Sequence, residues 1–365
     1  MNLDDLGWKT YITEGNLLDM PIEGQIGRIT SVQKNAFLIL SEPGSCWGKL
    51  SGNLSYHAQD CRELPVVGDW VSFNLSGDSA TAVITELFPR KNRIARVAAG
   101  SRGRRSTAAL TQQVIAANIE LIFIVAGLDR DYNLRRIERY LTLAYDSEAI
   151  PIVLLNKADL CSTWQEKTQE VEEIAIGVPV YAISASSGFD IGIVHRHLLP
   201  GMTAALLGSS GVGKSTIINS LLGKERQATH AISDSVGKGV HTTTARELIL
   251  LPKGGMIVDN PGIRELQLIT DSDSLETAFE DIEALAETCR FSDCRHEAEP
   301  GCSVKLALLE GSLDEERYQS YLKLRKELSY LETRDSKGPK AAEREKTRKI
   351  RILQKQYRQL KTKRR

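Results

Sequence analysis

The spacing of apolar residues changes twice along this chain. From Glu23 to Phe88 they fall in short strand-like runs: Gly24–Ser31, Asn35–Leu40, Trp47–Leu50, Val67–Phe73 and Ala80–Leu87. Glycine, proline, serine and aspartate separate the runs. Five short strands in fewer than seventy residues predict a small closed β-barrel of OB or SH3-like type over residues 21–89. Such barrels commonly offer a face to nucleic acid, although the fold alone does not assign that role. Residues 1–20 show no strong period and read as a tail.

Beyond a basic stretch, residues 90–107, buried strands begin to alternate with helices. Glu120–Ala126, Pro151–Leu155, Val180–Ile183, Met202–Leu207, Glu247–Leu251 and Met256–Val258 are strand-like, and Asn133–Ala144 is an amphipathic helix. That alternation predicts a mainly parallel sheet covered on both faces, over residues 108–272. Residues 273–335 have a helical pattern interrupted by cysteines. Ser336-Lys337-Gly338-Pro339 then breaks the chain before a basic tail, 336–365. Two or three domains are expected of 365 residues.

Hydrophobic content of 41% and charged content of 26% are globular values. No apolar run is long enough to span a bilayer, and the N-terminus lacks a signal pattern. The expectation is a cytoplasmic, monomeric protein with no membrane partner. The formal net charge of zero hides an asymmetry: residues 336–365 hold 13 Lys/Arg and 2 Glu. Between Arg90 and Arg105 there are 7 basic residues and no acidic ones. Two concentrated basic segments point to local contact with polyanions, against the blander reading of solvated surface.

Gly208-Ser209-Ser210-Gly211-Val212-Gly213-Lys214-Ser215 fits G-x-x-x-x-G-K-[ST], between an apolar strand and a helix that Thr216 continues. Its glycines let consecutive N–H groups face phosphate oxygens. Gly208, Ser209, Ser210, Gly211, Val212, Gly213, Lys214, Ser215 and Thr216 are therefore candidate residues for binding the phosphates of a nucleotide. Lys214 would reach the β- and γ-phosphates, and Ser215 would hold magnesium. Asn156-Lys157-Ala158-Asp159 is the N-K-x-D pattern. The Asp159 carboxylate can accept from both N1–H and the exocyclic amine of guanine, whereas adenine would leave it unpaired. Ser184-Ala185, also at a strand end, resembles the motif whose backbone supports the base. Asp259-Asn260-Pro261-Gly262 fits D-x-x-G. Asp259 would hold magnesium through water, and the Gly262 N–H would sense the γ-phosphate. A glycine- and threonine-rich loop, Gly237–Thr244, stands where a first switch belongs.

The order is rotated. Unpermuted GTPases run P-loop, switch threonine, D-x-x-G, N-K-x-D, Ser-Ala. Here N-K-x-D and Ser-Ala come first, so the sheet is circularly permuted. Of the six cysteines, Cys46, Cys61 and Cys161 are scattered, while Cys289, Cys294 and Cys302 cluster with His296 as C-x4-C-x-H-x5-C. Three thiolates and one imidazole complete a tetrahedral zinc shell with no open position, which predicts one structural zinc per chain.

A small barrel, a permuted GTPase and a Cys-Cys-His-Cys domain together resemble the ribosome small-subunit-dependent GTPase A family (RsgA, also called YjeQ). Ala98-Ala99-Gly100 with the following arginines, Asn133-Leu134-Arg135-Arg136 and Gly239-x-His241-Thr242-Thr243-Thr244 carry the likeness further. It departs at Asn260, where Thr or Ser is usual, and at Val240, often basic. The resemblance implies an OB barrel, GTP hydrolysis to GDP stimulated by the small ribosomal subunit, contact with its rRNA, and a role in late subunit maturation. It also implies that Thr243 is the magnesium-binding switch residue. Ile263 stands where other GTPases place a water-orienting Gln, and the resemblance gives that catalytic role to His241. Gly211 replaces the Asn through which some relatives bind potassium, so no potassium requirement is expected. Two rivals are a P-loop ATPase or kinase, which Asn156-Lys157-x-Asp159 argues against, and an RNA-binding module with a purely structural nucleotide.

Overall fold

The computed structural model describes residues 2–15, 23–33, 36–57, 63–75, 81–97, 112–223, 246–259, 272–297 and 299–337. The N-terminal strands are β1 (Gln25–Gln33), β2 (Ala36–Ser41), β3 (Gly44–Leu50), β4 (Trp70–Leu75) and β5 (Thr81–Leu87), with a short helix α2 (Gly52–His57) after β3. They follow one another around the sheet as β1-β2-β3-β5-β4, and β4 returns to β1. Only β3 and β5 run parallel. That Greek-key closure is the OB arrangement. Alternate residues fill the interior: Ile29, Phe37, Ile39, Val71, Phe73, Ala82 and Ile84 form its core.

The first residues are not a tail. A 3-10 turn, Leu3–Leu6, is capped by Asn2, and helix α1 (Trp8–Glu14) follows it. Leu6 and Tyr11 are buried, and the Trp8 ring lies 4.8 Å from that of Trp70 and 5.6 Å from that of Phe88. Three large side chains on two short turns leave no readable period. Their burial depends on barrel residues far away in the chain.

The second half of this unit comprises β8 (Leu121–Gly127), α3 (Leu134–Asp146), β9 (Ile150–Asn156), α4 (Trp164–Ile174), β10 (Val180–Ala182), α5 (Gly192–His197), β11 (Thr203–Leu207), α6 (Lys214–Leu222), β12 (Arg246–Leu250) and β13 (Met256–Asp259). Strands β10, β9, β8, β11 and β13 are parallel neighbours in that order, and β12 lies antiparallel at the end. All seven residues of β8 are buried, as expected where helices cover both faces. Strands β6 (Arg93–Val97) and β7 (Gln112–Ala117) pair separately.

Strand β1 joins the barrel to the parallel sheet by pairing with β12, Ser31 opposite Glu247 and Val32 opposite Arg246. Beside that seam Arg28 is fully buried. It donates to the carbonyls of Leu6 (2.5 Å), Gly68 (3.1 Å) and Asn118 (2.9 Å) and lies over the Trp70 ring. Burial lowers its pKa to about 10, against the opposing fields of Glu120 and Asp69, so it remains charged at neutral pH. Two cations counted above as a polyanion-binding segment are committed internally. Arg90 pairs with buried Asp69 at 2.7 Å, and Lys91 pairs with Glu14 and Glu120.

Met1–Arg96 with Val114–Gln267 make one compact unit, and Val97–Gln113 with Leu268–Arg365 another. The described helices of the second are α7 (Ser272–Ala278), α8 (Glu280–Glu287), α9 (Ser303–Glu310) and α10 (Glu315–Lys337). Arg317 of α10 grips Asp281 through two hydrogen bonds of 2.8 and 2.6 Å and lies over the ring of buried Phe279. Among the described residues no helix is long and apolar enough to cross a membrane.

Candidate nucleotide and metal sites

The candidate nucleotide residues that are described gather at the carboxyl ends of the parallel strands, where α/β sheets open their crevice. Strand β11 leads through Gly208–Gly213 into α6, so the loop N–H groups and the helix N-terminus share one place. Glycine is demanded at two points. At Gly208, φ is +151° and a Cβ would stand 2.3 Å from the Val125 carbonyl oxygen. At Gly213, φ is +100° and a Cβ would stand 2.2 Å from Asn156 Nδ2. The Lys214 ammonium donates to the carbonyls of Gly208 (2.6 Å) and Ser209 (2.5 Å), folding over the loop it belongs to.

Asn156, at the end of β9 and 3% exposed, ties three motifs together. Its Nδ2 donates to the Val212 carbonyl at 2.8 Å, and its Oδ1 accepts from the Ala185 N–H at 3.0 Å. Lys157 has a left-handed backbone, φ +69°, and its ammonium lies 2.6 Å from Asp129 Oδ2. Burial raises the Asp129 pKa, but hydrogen bonds from Lys157 and the Asp131 N–H outweigh it and hold the carboxyl below its ordinary value. Asp159 sits exposed in a 3-10 turn, Ala158–Leu160. Ser184 is buried, and its hydroxyl accepts from the Ser187 N–H at 3.2 Å. Asp259 closes β13. Ser210, Gly211, Ser215 and Thr216 occupy the loop and the first turn of α6. His241, Thr243 and Gly262 lie outside the described residues.

Sequence reading missed Asp129 and Asp131. Their signal was position: two carboxylates immediately beyond a wholly apolar parallel strand.

In the second unit, the ligand atoms of Cys289, Cys294, His296 and Cys302 lie within 4.8 Å of one another. Cys289 Sγ is 3.9 Å from Cys302 Sγ and 3.6 Å from His296 Nδ1, and Nδ1 is 3.3 Å from Cys302 Sγ. Tetrahedral bonds of about 2.3 Å would set sulfurs about 3.8 Å apart, so the group fits a metal ion of zinc's size. Cys302 also caps α9, its sulfur accepting from the Lys305 N–H at 3.4 Å.

An OB barrel joined to a P-loop sheet whose motifs run in rotated order defines a circularly permuted GTPase. The sequence profile of the RsgA GTPase family matches residues 87–269. The chain belongs to that family. It is 42% identical over 360 residues to the small ribosomal subunit biogenesis GTPase RsgA of Opitutus terrae, covering 96% of each chain. Its identity to the protein of the same name from Leptospira interrogans is 43% over 327 residues, covering 88% of this chain and 87% of that one. Among solved structures, YjeQ from Thermotoga maritima matches with a TM-score of 0.60 and 27% identity, over 83% of this chain and 98% of that one. YloQ, a circularly permuted GTPase, shares the fold at a TM-score of 0.58 and 22% identity, over 84% of this chain and 96% of that one.

Proposed function

We propose that this GTPase binds GTP at the crevice around Asn156, hydrolyses it on the small ribosomal subunit, and uses hydrolysis to leave a nearly mature subunit. The observation that carries the reading is the convergence on Asn156 of the phosphate loop, the N-K-x-D turn and Ser184-Ala185. Asp159 reads guanine, Lys157 packs beside the base, and the N–H groups of Ser209–Thr216 hold phosphates. Ser215, Thr243 and Asp259 are the residues to hold magnesium, which neutralises charge on the β- and γ-phosphate oxygens when bound. Cys289, Cys294, His296 and Cys302 hold one structural zinc. The barrel, zinc domain and basic tail bind rRNA, and the protein works in the cytoplasm as a monomer. GTP turnover measured with small subunits, large subunits and neither tests this. Stimulation by small subunits alone is expected, and equal turnover in all three overturns the assignment.

Base recognition has its own check. Asp159→Asn exchanges a carboxylate for an amide that complements the ring oxygen of xanthine, so preference should move from GTP toward xanthosine triphosphate by about tenfold or more. Competition titrations read this directly, and unchanged selectivity removes Asp159 from the site. For hydrolysis, Ile263 cannot orient water, and His241 is assigned that task. His241→Ala should keep GTP and subunit binding while the stimulated rate falls at least about tenfold. Stimulated turnover within about twofold of wild type, at saturating subunit, excludes the catalytic role.

A further inference from the structure

The phosphate-loop motif leaves its second position open, yet here that residue is held by its side chain. Ser209 Oγ donates to Asp131 Oδ2 at 2.7 Å. It accepts from the Arg136 guanidinium at 2.8 Å, and the same guanidinium nitrogen bonds Asp131 Oδ1. Hydroxyl, carboxylate and guanidinium thus close a ring in which each member bonds the other two. Two of its three contacts are charge-assisted and one is an ion pair, the stronger classes of hydrogen bond. Asp131 belongs to the turn that follows β8, and Arg136 to the first turn of α3. The ring therefore fastens the phosphate loop to elements outside the motif.

The same turn is fastened at its other end. Asp129, two residues before Asp131, pairs with Lys157 of the N-K-x-D turn. The Leu128 N–H donates to the Asn156 carbonyl at 2.8 Å, and the Asp131 N–H donates to Asp129 Oδ1 at 3.1 Å. A four-residue turn, Leu128–Asp131, thus spans from the base-side motif to the phosphate-side motif. This path is distinct from the Asn156 side chain.

We propose that Leu128–Asp131 is a positioning strut of the nucleotide site: Asp129 sets Lys157 at one end, and the Asp131–Arg136–Ser209 ring sets the phosphate loop at the other. Asp131, Arg136 and the Ser209 hydroxyl are positioning residues; none is required to touch the nucleotide through its side chain. Preorganising the loop N–H groups lets binding proceed without the cost of ordering them. The benefit falls on the β-phosphate, which the loop surrounds, more than on the base. Because one short turn carries both ends, weakening either should reduce what the other contributes.

The inference rests on the guanine-nucleotide reading of this site. The test therefore begins with wild-type protein and fluorescent GDP, with GDP and GMP as competitors. Failure of wild type to bind GDP would sink that reading, independently of the strut. Given binding, Ser209→Ala and Asp131→Asn should each weaken GDP by about tenfold while GMP affinity stays within about twofold. Ser209→Thr, which keeps the hydroxyl, should restore GDP affinity. A double-mutant cycle between Ser209→Ala and Asp129→Asn should be non-additive, the second change costing less once the first is made. GDP affinity unchanged in Ser209→Ala, equal weakening of GDP and GMP, or strict additivity in the cycle each overturns the strut. Thermal unfolding of each variant identifies an equal weakening that comes from general loss of fold, and that outcome also counts against a positioning role.

Discussion

Cys294→Ser is expected to strip the metal from the second unit and to unfold the loop that it closes. Between Cys289 and Cys302 the described chain contains turns and bends but no helix or strand, and most of its side chains are exposed. Little apolar surface is buried there to order the backbone, so the ligand atoms must supply the order. Structural zinc contributes about 10–16 kcal/mol in peptides that fold around it, and a shell lacking one thiolate forfeits much of that. The helices have other anchors. Arg317 with Asp281, and Tyr321 with Glu283 at 2.7 Å, hold α10 against α8 without the ion. Zinc content should therefore fall from about one equivalent per chain to a small fraction. Proteolysis should begin within residues 289–302, while the helical signal falls only in part. GDP binding should survive, since the nucleotide residues belong to the other unit. Freshly purified wild-type protein without zinc would falsify the assignment, and a variant with full metal content would exclude Cys294 from the shell.

Asn156→Ala should be the most damaging single change in the nucleotide site. The side chain is buried and serves two backbone groups from different loops, the Val212 carbonyl and the Ala185 N–H. Alanine leaves both without that partner where water has little access. Each such loss costs about 1–3 kcal/mol, so the pair costs about 2–6 kcal/mol, equivalent to roughly thirtyfold to twenty-thousandfold in affinity. Asn156→Asp is a sharper control than a conservative reading implies. It keeps an acceptor for Ala185 N–H but turns a carboxylate oxygen toward the Val212 carbonyl, so it should not rescue. Titration with fluorescent GDP checks both, and an affinity within about threefold of wild type in either variant would show that the three motifs are held by other means.

Local chemistry carried much of this protein in its sequence. The five barrel strands were legible because their alternation has period two and their turns are polar. The parallel strands were legible because burial on both faces makes them continuously apolar. Glycines at positions 208 and 213, the Asn156–Asp159 turn and the Cys289–Cys302 spacing stood out as motifs because the ligands proposed for them, phosphate, guanine and zinc, each ask for donors at fixed short separations. The rotated order of motifs was legible too, since it is a property of the chain alone. What depended on distant partners was not. The helix Trp8–Glu14 looked like tail because its aromatic residues pack on Trp70 and Phe88. Arg90 and Lys91 looked like ligands for a polyanion because charge does not reveal its partner; Asp69, Glu14 and Glu120 come from elsewhere in the chain. Nothing beside Arg28 in its strand-like run shows that carbonyls from three separated segments enclose it. The Ser209 hydroxyl occupied an open motif position, and only the approach of α3 to the phosphate loop brought Asp131 and Arg136 to it. Hydrogen bonds and ion pairs act over about 3 Å, whereas their partners here are tens of residues apart along the chain. Which of them meet is decided by how the sheet and barrel stack, and that information resides in the tertiary structure.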